Sequence, residues 1–261
     1  AWQPDVFIGI DAPEFNLGLA SQLHAAGLRT VQYVSPQVWA WRAGRVRAIA
    51  RACDLVLCLL PFEPAFYSQH AVRARFVGHP LADQIPLDGD RAAARAALGL
   101  AAGATVVAVL PGSRRGEVTR LGPDFAAAAL ALAAAMPDIE FIAPMVSPEV
   151  RALFERDCAA AGARIQVLDG QARLALQAAD AALVASGTAS LEALLCRCPM
   201  VVAYRMNALT TFLLLALRIV RLRHFSLPNL LAGEALVPEF LQKAVTGAAL
   251  AAARREHLSV V

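Results

Sequence analysis

Most of what would mark a chain as a binder of large partners is scarce here. Of 261 residues only Lys243 is lysine, the net charge is +3, and the arginines are scattered along the chain. A nucleic-acid binder concentrates its basic residues on one face or one segment. Nucleic acid is therefore not expected as a partner. Cysteine is limited to Cys53, Cys58, Cys158, Cys196 and Cys198, an odd number. In a chain long enough to bury large cores, that usage points to reduced thiols in the cytoplasm and not to a disulfide framework. Cys196-Arg197-Cys198 does not have zinc-ligand spacing, so no metal site is expected. The stretch given shows no secretory pattern, so a signal peptide is not expected. The greasiest stretch, 208–223, holds an apolar run shorter than the about 20 residues that cross a bilayer. It ends in Arg218, Arg221 and Arg223, which suits either a helix lying on an anionic membrane surface or a core helix with cations at its C-terminus. The chain opens on Ala1 just before a strand-like run and reads as a fragment.

What is present is a regular alternation of apolar runs and helical patterns. In the first part the strand-like runs are Asp5–Ile10, a buried-strand pattern, Thr30–Val34, the fully apolar Asp54–Leu60 and Arg75–Val77, and their alternation with helices indicates a parallel sheet. Residues 80–90 are polar and broken by proline, which makes them the natural linker, and Asp90 is placed to cap the helix that follows. A second series follows, with strands at Thr105–Leu110, Ile139–Ala143, Ile165–Leu168, the run from Asp180, and Pro199–Ala203. Two doubly wound parallel-sheet domains are expected, residues 1–85 and 86–261.

Chemistry-bearing residues fall just after these strands, at the edge where open α/β sheets bind ligands. The run from Asp180 stops at Ser186-Gly187-Thr188, and a helix resumes at once. The unpaired amides of that helix start, with two hydroxyls, fit a phosphate. Glu192 lies four residues after Thr188 on the same helix face, where one carboxylate could accept from both hydroxyls of a ribose. A capped helix with Glu192 in water is the plainer reading. Pro111-Gly112-Ser113-Arg114 is a second loop of the phosphate type, in which Arg114 could neutralise a departing diphosphate. Asp11 could be a general base, although Asp11-x-x-Glu14 is equally a capping box. Trp39 and Trp41, with Arg42 and Arg45 behind them, could line an acceptor site carrying a phosphate or could simply pack. His79 in its Gly-Pro turn could shuttle a proton or hold the turn, and Asn229 could serve a site or form a turn.

Six segments in order, Ile10–Asn16, Tyr33–Arg42, Phe76–Pro80, Leu110–Arg114, Ala185–Glu192 and Ser226–Gly233, resemble the lipid-A-disaccharide synthase family over nearly the whole chain. The resemblance implies a GT-B type fold of two Rossmann-like doubly wound domains, the first incomplete because the family's opening strand and glycine-rich loop are absent, with the C-terminal segment cut short as well. It implies an inverting glycosyltransferase that moves 2,3-diacylglucosamine from UDP to the 6-hydroxyl of 2,3-diacylglucosamine 1-phosphate and releases UDP. On this reading Asp11, Arg114 and Asn229 are catalytic, and Gly112, Ser113, Ser186, Gly187, Thr188 and Glu192 hold the nucleotide sugar. Trp39, Arg42 and His79 are acceptor-side candidates. No cofactor or metal is implied. Peripheral attachment to the inner face of the inner membrane and a homodimer of the full-length protein are expected. A non-catalytic UDP-sugar-binding module and another UDP-sugar enzyme of the same architecture are the alternatives.

Overall fold

The computed structural model describes residues 3–41, 43–207 and 223–258. They divide into two compact units, the first made of residues up to Asp83, the second starting at Gln84 and including the chain from His224 onward.

The first unit is a four-stranded parallel sheet in sequential order, β1 (Val6–Ile10), β2 (Arg29–Tyr33), β3 (Leu55–Cys58) and β4 (Ala74–Phe76). Parallel neighbours need crossover connections, and helices supply them. They are α1 (Pro13–Ala25), α2 (Val38–Trp41) with α3 (Val46–Ala52), and α4 (Glu63–Ser68). The core gathers Ile49, Val56, Cys58 and Tyr67, all fully buried. In the sequence given, β1 stands at the edge of this sheet, with Val6, Ile8 and Ile10 exposed to 41%, 52% and 66%.

After α5 (Pro80–Gln84), Asp90 caps α6 (Arg91–Ala97) by accepting from the Ala93 amide at 2.9 Å. The second unit is a six-stranded all-parallel sheet. Its strands are β5 (Thr105–Leu110), β6 (Ile139–Met145), β7 (Gln166–Asp169), β8 (Ala181–Ala185), β9 (Met200–Tyr204) and β10 (Glu239–Leu241), in spatial order β10-β9-β8-β5-β6-β7. Both faces are covered. Val107 and Val109 of β5 meet α7 (Arg115–Ala135) and α8 (Pro148–Ala161), while Val106, Ala108 and Leu110 join a second core with α6 and α9 (Ala172–Ala178). Side chains alternate across a strand, so a run apolar at every position fits a sheet buried on both faces. α7 is long and apolar enough to cross a membrane, but Val118, Leu121, Phe125 and Leu132 put one side of it into this core.

The strand order reverses between β5 and β8. The chain winds outward from β5 through β6 to β7, then returns to lay β8 on the other side of β5. Loops leaving the carboxyl ends of β5 and β8 therefore run to opposite faces, leaving a crevice between them.

Candidate active site

At the carboxyl edge of the first unit, β1 runs into Asp11 and Ala12, both with positive φ, 49° and 38°. Two consecutive non-glycine residues in the left-handed region are costly and persist only where surroundings hold them. Asn16 and Gln32 do so. The Asn16 amide donates to the Ile10 and Asp11 carbonyls at 3.1 and 2.7 Å, and the Gln32 amide donates to the Asp11 carbonyl at 3.0 Å. Gly9 permits the approach, since a Cβ there would lie 2.9 Å from Asn16 Cβ and 3.0 Å from Gln32 Oε1. The capping-box alternative for Asp11 is corrected. The N-cap of α1 is Ala12, without any side-chain cap, and Asp11 is exposed.

Trp39 is half-buried. Its indole N–H donates to Glu63 Oε1 at 3.1 Å, and its ring meets Phe62 edge-on at 4.9 Å. Glu63 is buried, also accepts from the Leu60 amide at 2.9 Å, and is pushed above the usual glutamate value by burial. Trp39 is thus anchored by its polar tip, and Glu63, which no sequence pattern marked, anchors it. His79 is held by its contacts at the start of α5. Its Nδ1 accepts from the Leu81 amide at 3.2 Å, which assigns the proton to Nε2, and burial lowers its pKa, favouring the neutral ring. It closes the first turn of α5. Arg42 lies outside the described residues, as do residues 208–222 of the apolar stretch.

In the second unit the loop after β5 turns at Gly112, whose φ of 134° favours glycine. A Cβ there would also run into Glu117 at 2.5 Å. Glu117, third residue of α7, reaches back so that its Oε2 accepts from the Ser113 and Arg114 amides at 3.0 and 3.3 Å. Where Gly112 and Ser113 were expected to cradle a phosphate, the helix start thus holds a carboxylate of its own. Arg114 remains available, with its side chain 84% exposed and only a long 3.5 Å contact to Glu117.

The loop after β8 is different. Gly187, with φ 153°, leads into α10 (Thr188–Leu195), which has no acidic residue in its first turn. Thr188 is exposed at the helix start, where the Ser190 amide donates to the Gly187 carbonyl at 3.1 Å and the Thr188 and Ala189 amides precede any intrahelical acceptor. Glu192 is half-buried on the same face, and its pKa is raised by burial, with Arg173 pulling the other way. The expected phosphate donor Ser186 is corrected. Its hydroxyl donates to the Phe225 carbonyl at 3.2 Å, and its amide donates to the Ala203 carbonyl at 2.8 Å.

Asn229 is corrected too. It is 1% exposed and brackets Val237, its Nδ2 donating to the carbonyl at 2.9 Å and its Oδ1 accepting from the amide at 2.8 Å. Ser226–Gly233 is not a plain turn but contains helix α11 (Leu227–Ala232). Glu239 of β10 ties down its approach, since one carboxylate oxygen accepts from both the Ser226 amide and hydroxyl while Phe225 N–H also points at the carboxylate. The segment that Ser186 leans on is thereby fixed by two side chains, Asn229 and Glu239. A strand as short as β10 left no periodic signal from which Glu239 could be read. Among the described residues no cluster of His, Cys, Asp or Glu could hold a metal ion.

Comparison with known proteins decides what these edges belong to. The family model for lipid-A-disaccharide synthetase matches residues 1–260. The chain belongs to the lipid-A-disaccharide synthetase family. The lipid-A-disaccharide synthase of Chromohalobacter salexigens is 56% identical over 245 residues, covering 93% of this chain and 63% of that protein. That of Azotobacter vinelandii is 57% identical over 255 residues, covering 96% and 66%. The chain thus spans 63–66% of the length of these two relatives. Among solved structures, the UDP-GlcNAc 2-epimerase from Methanocaldococcus jannaschii in complex with UDP-GlcNAc and UDP superposes with a TM-score of 0.59 at 13% identity, over 98% of this chain and 69% of that one. The UDP-GlcNAc 2-epimerase from Neisseria meningitidis bound to UDP-GlcNAc gives 0.57 at 13% identity, over 99% and 77%. These establish the fold class, α/β with parallel sheets of the GT-B kind.

Proposed function

We propose that this chain carries the glycosyl transfer of its family, moving 2,3-diacylglucosamine from UDP to the 6-hydroxyl of 2,3-diacylglucosamine 1-phosphate to give a β-1,6 disaccharide and UDP. The observation that carries the proposal is the family match over residues 1–260, together with the motif residues standing at the carboxyl edges of the two sheets. On the donor side, the start of α10 receives the diphosphate and Glu192 accepts from the ribose hydroxyls. Arg114 supplies positive charge where the leaving UDP gathers negative charge. On the acceptor side, Asp11 takes the proton of the 6-hydroxyl. The freed oxygen bonds to the anomeric carbon as the bond from that carbon to the diphosphate breaks, with inversion. Asn229 and Glu239 act through the loop they hold, not by touching substrate.

The test is transfer between the two lipid substrates in the full-length protein. Asp11→Ala is expected to lower kcat by about a hundredfold or more, as loss of a general base does. Activity near wild type would remove Asp11 from the reaction. UDP binding by this chain, weakened by Arg114→Ala, tests the donor side separately. A substrate with acyl chains also fits peripheral attachment to the inner face of the inner membrane through the 208–223 stretch, and a homodimer in the full-length protein. Flotation of anionic liposomes without the protein at low salt would refute the attachment, and a monomer mass in solution would refute the dimer.

A further inference from the structure

The first unit contains a groove that holds none of the residues assigned a role above, although Pro13, Glu14, Pro36 and Val38 of two motif segments line it. It has a volume of about 280 Å³ and lies between α1 and α3, closed at one end by the chain leaving β2. Two helix stripes form its walls. On α1 the stripe is Glu14, Leu17, Gly18 and Ser21; opposite it run Arg45, Ala48 and Arg51, spaced three apart and so stacked on one side of their turn. The width comes from small residues facing each other. Ala48 has only a methyl group, and a Cβ placed on Gly18 would meet nothing within 4 Å. Leu17, Pro36 and Val38 give an apolar floor. The charged groups lining it are Glu14, Arg45 and Arg51. Arg45 is 3.3 Å from Glu14 in a largely exposed pair, and Arg51 is exposed with no salt bridge among the described residues.

We propose that this groove is the phosphate-end subsite for the acceptor, holding an acylated sugar phosphate with its phosphate on Arg51 and Arg45 and the start of an acyl chain along Leu17, Pro36 and Val38. The inference rests on the reading of the chain as a glycosyltransferase with a phosphorylated lipid acceptor. Three features favour this occupant. An apolar floor beside two guanidinium groups complements a molecule with both a hydrocarbon chain and a dianion, and guanidinium matches phosphate geometry in two-pronged contacts. Glu14 offers an acceptor for sugar hydroxyls next to the phosphate position. The groove is also lined by chain neighbours of the residues expected to act on the acceptor, Pro13 two residues from Asp11 and Val38 next to Trp39.

The experiment measures equilibrium binding of diacylglucosamine 1-phosphate in uncharged detergent micelles, with the dephosphorylated lipid and inorganic phosphate as separate arms. The wild-type chain is expected to prefer the phosphorylated lipid by about tenfold or more, and Arg51→Ala is expected to remove most of that preference while leaving the dephosphorylated lipid unaffected. Gly18→Leu, which favours the helix while filling the groove, is expected to weaken both lipids and leave UDP binding unchanged. A preference that survives in Arg51→Ala, or wild-type binding of both lipids by Gly18→Leu, overturns the proposal. So does inorganic phosphate that binds as tightly as the lipid phosphate. Loss of UDP binding by the wild-type chain would strike at the glycosyltransferase reading instead, and the two failures are therefore distinguishable.

Discussion

The helix starts after β5 and β8 share several features and differ at the third helical position. Both follow a buried strand, both turn on a glycine with strongly positive φ, and both lie at the point where the sheet order reverses. In α7 the third residue is Glu117, which folds back onto the loop amides. In α10 the third residue is Ser190, whose hydroxyl donates to the Gly187 carbonyl at 2.7 Å and brings no negative charge. One helix start thus supplies its own anion, and the other carries none, which is what the proposed binding of a diphosphate there requires.

Substitutions can break this contrast, and the largest effect is expected from Gly187→Ala. Forcing alanine to φ 153° costs about 1–3 kcal/mol or shifts the turn, and the shift would carry the amides away from the diphosphate. UDP affinity measured by calorimetry should fall by about a hundredfold, since a displaced loop loses several contacts at once. Retained affinity would mean that the β8 loop is not where UDP binds. Next is Thr188→Asp, which places a carboxylate at the start of α10. It should raise thermal stability through the helix dipole by about 0.3–1 kcal/mol while lowering UDP affinity by about tenfold. Opposite signs in the two measurements are the signature of an anion site; falling stability would contradict it.

Glu192 sharpens the contrast through pH. Burial raises its pKa, so the carboxylate proposed to accept from a ribose is lost on acidification at a pH above the usual glutamate value of 4.5. UDP-sugar affinity should decline through that range, and Glu192→Gln should abolish the decline while costing about 1–3 kcal/mol of binding. The stability consequence has the opposite direction. A raised folded-state value means that the contribution of this group is fully present below 4.5 and is lost as pH rises through the raised value. The smallest effect belongs to Glu117→Ala. It should cost the fold about 0.5–2 kcal/mol, as lost caps do, and free the Ser113 and Arg114 amides. Weak binding of inorganic phosphate, absent in wild type, should then appear by NMR at those two amides.

The strands and their alternation were legible because a doubly covered parallel sheet demands apolar residues at every position, as β5 and β8 show. Asp90 as a cap and the turn at Ser186–Thr188 were legible for a similar reason, since each rests on neighbours within a few residues. What stayed hidden depends on long-range partners. The roles of Asn229 and Glu239 are defined by Val237 and Ser226, eight and thirteen residues away in sequence. Whether Ser186 gives its hydroxyl to a ligand or to Phe225 depends on a segment 39 residues on. Glu117 could have been found, because a carboxylate at the third position of a helix is a local signal, but the glycine turn before it drew the reading towards phosphate.

The paired left-handed residues after β1 carry a consequence for engineering and for natural drift. Glycine would occupy position 11 with less backbone strain, so Asp11→Gly should recover part of the about 1–3 kcal/mol stored there. If Asp11 is the base, that more comfortable chain has surrendered its chemistry. A screen selecting only for thermal resistance would then enrich replacements at position 11 that silence the protein, and the most heat-tolerant clone could be the least useful one.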